Sequence, residues 1–80
     1  MPRIAEFLGI VFYLYFNGHG VNHIHAYYAE YSLVIDFNGK ILAGHMPKKK
    51  ASIAQKFVIN NIEMIKKETD TIIKNKHKKK

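Results

Sequence analysis

The sequence predicts one α+β domain, in which a four-stranded antiparallel meander is packed by a long C-terminal helix, continuous or broken once. Three observations predict it. Nine of the ten aromatic residues lie before residue 46, in short runs typical of strands. Apolar residues fall three and four apart from residue 48 onwards. With 80 residues, of which 48% are hydrophobic, the chain has enough apolar side chains for one core but not for two.

The strands follow from runs of β-branched and aromatic residues separated by turn residues. Ile10–Phe16 (IVFYLYF) reads as a buried or two-sided strand, and the NGHG sequence after it is typical of a turn. Asn38-Gly39 is the strongest hairpin signal in the chain. The four predicted strands span residues 10–16, 23–28, 31–37 and 40–44.

The helix is predicted over residues 48–74, after Gly44 and Pro47 end the sheet. Its apolar stripe is interrupted only by Asn61 and Thr69, and a break is expected, if anywhere, near residues 67–70. The domain therefore spans residues 1–75, and the basic tail at residues 76–80 is expected to be disordered.

Several classes of protein are excluded by composition. Because the chain has no cysteine, disulfide frameworks, thiolate zinc sites and cysteine nucleophiles are ruled out. No apolar run reaches 18 residues, so neither a transmembrane helix nor a membrane partner is expected. Residues 7–16 are apolar, but Glu6 at their edge and the lack of a small-residue cleavage site favour a core strand over a signal peptide. A cytoplasmic location is therefore expected.

The positive charge is confined to the C-terminal half of the chain. Residues 47–80 carry eleven lysines against three acidic residues, whereas residues 1–46 are close to neutral. A strongly basic half suggests a polyanionic partner such as RNA, or an acidic protein. Because so small a core gives marginal stability, homo- or hetero-oligomerisation would also suit the chain.

Histidines form the most chemically suggestive cluster. His23 and His25 lie two apart in a predicted strand and would project from one face, roughly 6–7 Å apart. His19 precedes them and Glu30 follows the strand. The pair allows acid–base catalysis, in which no cofactor is needed. His23 and His25, with His19 or Glu30, are alternatively ligands for zinc or another divalent metal. A purely structural or interfacial role is the third interpretation.

Lysines provide candidate phosphate ligands. Lys48, Lys49 and Lys50 stand at the predicted helix start, where the helix dipole disfavours cations and free N–H groups attract anions. Arg3 is a further candidate cation for stabilising a charged phosphoryl transition state. The five tyrosines are candidates for stacking on nucleobases or for simple core and cross-strand packing.

Short motifs in a fixed order resemble the small bacterial proteins of domain-of-unknown-function family 4160. The matching positions are Met1, Pro2, Gly9, Ile10, Val11, His19, His23, His25, Ala26, Glu30, Tyr31, Gly44 and Pro47. The resemblance covers roughly residues 1–66. It implies a toxin component of a two-gene toxin–antitoxin module, with a small cognate antitoxin-like protein as its partner.

Together these features predict a toxin-like protein that cleaves RNA without a metal. His23 and His25 would be the acid–base pair, Glu30 would orient a histidine, and Lys48–Lys50 would bind phosphate. The alternatives are a non-catalytic basic module that binds a partner protein or nucleic acid, and a histidine-based metal-binding regulator.

Overall fold

A computed structural model describes residues 3–16 and 22–68 of the chain, and it confirms an α+β fold. Five strands form one antiparallel sheet whose spatial order follows the chain. They are β1 (Arg3–Phe7), β2 (Ile10–Phe16), β3 (Asn22–Tyr28), β4 (Tyr31–Ile35) and β5 (Ile41–His45). Two helical segments follow, α1 (Lys48–Asn60) and α2 (residues 62–68).

The prediction of four strands was wrong, because the chain begins the sheet one strand earlier, with β1. Leu8 and Gly9 join β1 to β2 with φ angles of +52° and +84°. Positive φ at both central residues is the pattern of a type I′ hairpin turn, for which Asn-Gly is the usual sequence. An exposed leucine in this conformation hides the turn inside what looks like one apolar run.

Alternation along the strands divides the sheet into two faces. Alternate side chains of β2, β3 and β4 are buried against Ala54, Val58 and Ile65 of the helices. The buried strand residues are Ile10, Phe12, Leu14, Ile24, Ala26, Leu33 and Ile35. Because successive strand side chains point to opposite faces, the helices cover one face of the sheet and the intervening residues form the other.

The helix prediction was partly wrong, because the helix is interrupted at Asn61, before the predicted break near residues 67–70 is reached. The Asn61 backbone N–H is shared between the carbonyls of Phe57 and Val58, at 3.1 and 3.3 Å. Its side-chain amide also donates to the Phe57 carbonyl, at 2.9 Å. A residue that satisfies the end of α1 in this way interrupts the regular ladder. The predicted helix beyond residue 68 and the tail at residues 76–80 lie outside the described residues.

Two long side chains tie α1 to the turns of the sheet. The Lys50 ammonium donates to the Leu8 carbonyl at 2.9 Å and lies 4.7 Å from the centre of the Tyr28 ring. The Gln55 amide donates to the Gly39 carbonyl at 2.8 Å. These contacts therefore hold α1 against turns at opposite ends of the sheet. Within the described part of the chain, neither helical segment is long and apolar enough to cross a membrane.

Candidate functional site

The face of the sheet opposite the helices carries the two strand histidines. Register pairs Tyr13 of β2 with His25 of β3, and Tyr15 with His23. These residues alternate with the buried positions of their strands, as does Tyr27, and none of the five is fully buried. We call the surface formed by Tyr13, Tyr15, His23, His25 and Tyr27 the tyrosine–histidine face. The prediction that both histidines share one face is therefore matched by the register.

Ring packing holds the tyrosine–histidine face in one arrangement. The Tyr15 ring is stacked on His25 with centroids 5.0 Å apart, and it is nearly parallel to His23 at 6.3 Å. Tyr13 and Tyr27 meet edge to face at 5.5 Å. Tyr15 therefore packs against both imidazoles.

His25 is the more perturbed of the two histidines. Partial burial and the nearby His23 both lower the pKa of His25 below its ordinary value of 6.5, burial being the larger cause. The Nδ1 atom of His25 lies 3.4 Å from the Tyr27 hydroxyl, at the long end of hydrogen-bond distance. The lowered pKa favours the uncharged imidazole, which is the form that a general base requires.

Arg3 lies on the same face as the histidines. Arg3 is opposite Tyr13, which is in turn opposite His25, so two strand spacings of about 4.8 Å separate Arg3 from His25. A register shift between Arg3 and Ala5 places Glu6 on this face as well, where its carboxylate pairs with the Arg3 guanidinium. In a regular strand, Arg3 and Glu6 would point to opposite faces, because they are three residues apart.

Glu30 occupies the turn between β3 and β4, at the far end of β3 from His23. Tyr28, the last residue of β3 before this turn, lies three residues beyond His25. At the usual rise of a strand, Tyr28 and His25 are about 10 Å apart. The structure therefore does not bring Glu30 beside the histidine pair. Among the described residues the polar neighbour of His25 is the Tyr27 hydroxyl.

The lysine triplet begins α1 and lies on the helix-covered side of the sheet. Lys50 is engaged by the Leu8 carbonyl and the Tyr28 ring, whereas Lys48 and Lys49 are exposed. Tyr28 is at the opposite end of β3 from His23. The structure thus separates the lysines from the histidine pair.

The remaining histidines are not part of the pair. His19 lies outside the described residues. His45 ends β5 and contacts the Tyr31 ring at 5.8 Å. In the described part of the chain, no three acidic or histidine side chains come together in a way that could hold a metal ion.

Tyr15 and Tyr27 are the residues of the site that sequence reasoning missed. Both were candidates only for base stacking or packing, yet they contact the imidazoles directly. Spacing along the strand could have found Tyr27. Residues two apart in a strand share a face, and Tyr27 lies two residues from His25.

Comparison with known proteins gives a family and nothing finer. The model of the family described as "Domain of unknown function (DUF4160)" matches residues 9–68, three quarters of the chain. No curated protein and no solved structure matches it. The chain belongs to the DUF4160 family.

Proposed function

We propose that this DUF4160 protein is the toxin-like component of a bacterial type II toxin–antitoxin module. In this proposal the chain cleaves RNA on its tyrosine–histidine face. The observation that carries the proposal is the placement of two imidazoles on the face of the sheet that the helices leave uncovered. Catalysis of phosphodiester cleavage by two imidazoles requires them to reach the same phosphate, and the spacing of about 6–7 Å between alternate strand residues suits this.

The electrostatics of the pair support a division of roles. Partial burial, and secondarily the nearby His23, lower the pKa of His25, which favours the uncharged form of His25. We assign His25 as the general base and His23 as the general acid. The reaction takes one proton from the substrate and gives one proton to it. It therefore requires one imidazole without the extra proton and one imidazole with it.

The proposed reaction needs the ribose 2′-hydroxyl. His25 Nε2 takes the proton of the 2′-hydroxyl, whose oxygen forms a bond to the adjacent phosphorus. The bond from phosphorus to the 5′-oxygen breaks, and His23 gives that oxygen its proton. The products are a 2′,3′-cyclic phosphate and a free 5′-hydroxyl, and neither a metal nor a redox partner enters the balance.

Charge that develops on the phosphate would be met by Arg3 and the tyrosine hydroxyls. Arg3 stands in the same cross-strand row as His25, and phosphate oxygens would compete with Glu6 for its guanidinium. Tyr27 takes over the orienting role that the sequence suggested for Glu30, because its hydroxyl lies beside Nδ1 of His25. Lys48 and Lys49 would contact the RNA backbone away from the cleaved bond.

The test is cleavage of a single-stranded RNA by the purified chain, with His25→Gln, His23→Gln and His45→Gln compared at equal folded concentration. We expect each of the first two substitutions to slow cleavage by about 100-fold or more. His45→Gln should stay within about twofold of the wild-type rate, since the His45 ring packs against Tyr31 and lies two strands away from the histidine pair.

Two further arms identify the chemistry. An oligonucleotide of the same sequence lacking 2′-hydroxyls should stay intact, and EDTA should leave the rate unchanged. Cleavage that EDTA abolishes would replace the proposal with a metal-dependent one. RNA that binds but is not cut, with affinity insensitive to either histidine, would instead identify a non-catalytic binding module.

The toxin-like role has a separate readout. Induced expression of the wild-type chain in a bacterial host should arrest growth, whereas His25→Gln, produced at equal soluble yield, should not. A wild-type chain that accumulates in folded form without slowing growth would refute this part of the proposal.

A further inference from the structure

A groove lies on the helical side of the molecule, away from the tyrosine–histidine face. It runs between α1 and the end of β1 and has a volume of about 390 Å³. The lining residues are Phe7, Ile53, Lys56, Phe57, Asn60 and Asn61. Its size falls within the range of about 300–1,000 Å³ that binding pockets usually have.

The walls of this groove are apolar and remain accessible. The Phe7 ring is stacked on Phe57 at 5.5 Å, yet 45% of Phe7 is exposed. Phe57 stacks in turn on the fully buried Phe12, at 4.4 Å. The groove is thus an aromatic surface supported from below by the core, the kind of rigid wall that anchors a side chain of a partner.

The surroundings of the groove are basic. Residues 48–68 carry six lysines against two glutamates, and Lys56 stands on the rim itself. Asn60 adds a side-chain amide that can hydrogen-bond to a peptide backbone. β1 is also an edge strand of the sheet, so a polypeptide beside the groove can pair with its outer backbone groups.

We propose that this groove is the docking site for an acidic peptide segment of a partner protein, anchored by an aromatic or leucine side chain. Charge complementarity selects an acidic partner, and the phenyl walls select an apolar anchor. A polypeptide suits the groove better than RNA does. The accessible apolar surface is a concave slot beside a strand edge, whereas stacking on nucleobases needs flat rings open to solvent.

This inference stands apart from the proposed ribonuclease activity, because it involves neither histidine. Its test uses the full chain with the catalytic substitution His25→Gln and a short fluorescent peptide carrying one Phe and one Leu among glutamates. The control peptide has the same sequence with every glutamate replaced by lysine. We expect the acidic peptide to bind at least about tenfold more tightly than the basic one at low salt, and added salt to reduce the difference.

Two pairs of matched variants locate the binding surface. Phe7→Ala and Lys56→Glu should each weaken the acidic peptide by about fivefold or more. Leu42→Ala removes a similarly exposed apolar side chain from β5, and Lys66→Glu makes the same charge reversal outside the groove. Both controls should stay within about twofold of the parent chain, which also shows that a general charge effect is not responsible.

Three results would overturn the inference. One is absence of binding by the acidic peptide up to about 1 mM, the affinity of the weakest specific complexes. Another is equal sensitivity to the groove variants and to their controls. The third is a single-stranded oligonucleotide that binds more tightly than the peptide and depends on Phe7 and Lys56, which would make the groove a nucleic-acid site.

Discussion

Gly44 in β5 is the glycine at which an added methyl group should lower the free energy of unfolding the most. Its φ angle is +95°, and a Cβ there would lie 2.3 Å from the Ser32 carbonyl oxygen and 2.9 Å from the Leu33 Cα. Both are backbone atoms of the neighbouring strand β4, so no side chain can move to relieve the overlap.

A matched substitution separates the two parts of the cost. Gly9 also has a positive φ, +84°, but a Cβ there meets only the edge of the Tyr28 ring at 3.4 Å, an ordinary contact. Gly9→Ala therefore measures the left-handed conformation alone, about 1–2 kcal/mol. Gly44→Ala adds the displacement of β5 from β4 and the loss of one or two ladder hydrogen bonds at about 1 kcal/mol each.

We accordingly expect Gly44→Ala to lower the free energy of unfolding by about 3 kcal/mol or more, against about 1–2 kcal/mol for Gly9→Ala. At about 0.05–0.15 kcal/mol per residue, a chain of this length has only about 4–12 kcal/mol in total. Urea unfolding followed by circular dichroism and tyrosine fluorescence gives both values. Equal costs for the two alanines would refute the steric argument.

The other predictions concern His25 and Lys50. Since the pKa of His25 is lowered in the folded chain, the stability it contributes is complete above pH 6.5 and is lost as the pH falls through the folded pKa. His25→Gln should therefore flatten the acid side of a plot of urea midpoint against pH, and parallel wild-type and variant curves would contradict the assignment. Lys50→Ala should cost about 1 kcal/mol because it removes the contacts to the Leu8 carbonyl and the Tyr28 ring. Lys49→Ala should stay within about 0.5 kcal/mol, and an equal loss for both would show that the tie is not stabilising.

The sequence was sufficient to predict the centre of the fold. β2 matches its predicted range, and Ala29 and Glu30, which lie between the predicted strands at residues 23–28 and 31–37, form the turn that joins β3 to β4. Asp36 accepts hydrogen bonds from the backbone N–H groups of Asn38 and Lys40, which builds the turn around Gly39 as the Asn-Gly signal predicted. These elements are local, so short-range propensity determines them.

Both errors arise where an apolar pattern continues past a residue that ends an element. Leu8 adopts a left-handed turn inside an apolar run, which hid β1. Asn61 breaks the helix while the apolar spacing continues through Ile62 and Ile65, so periodicity passed over it.

In the candidate site, too, local sequence determines some features and tertiary contacts determine others. The period of a strand was enough to place His23 and His25 together. It could not decide which face of the sheet the helix covers, because β2 carries large apolar or aromatic side chains on both faces. The distance of the lysines from the histidines depends on where the helix docks, and that is set by contacts 42 positions apart, such as Lys50 with Leu8.

The chain-order arrangement of the sheet has a kinetic consequence. Every strand pairs only with its immediate neighbours along the chain, so each pairing closes a short loop and the entropy lost at each step is small. Proteins rich in such local contacts cross their folding barrier quickly. We therefore expect the slow step to be the docking of α1 on a preformed sheet, because that event joins distant parts of the chain. Because the sheet is formed before that step, substitutions that weaken the cross-strand ring contacts of the tyrosine–histidine face should slow folding, whereas α1–sheet contacts that form after the barrier should mainly affect the unfolding rate.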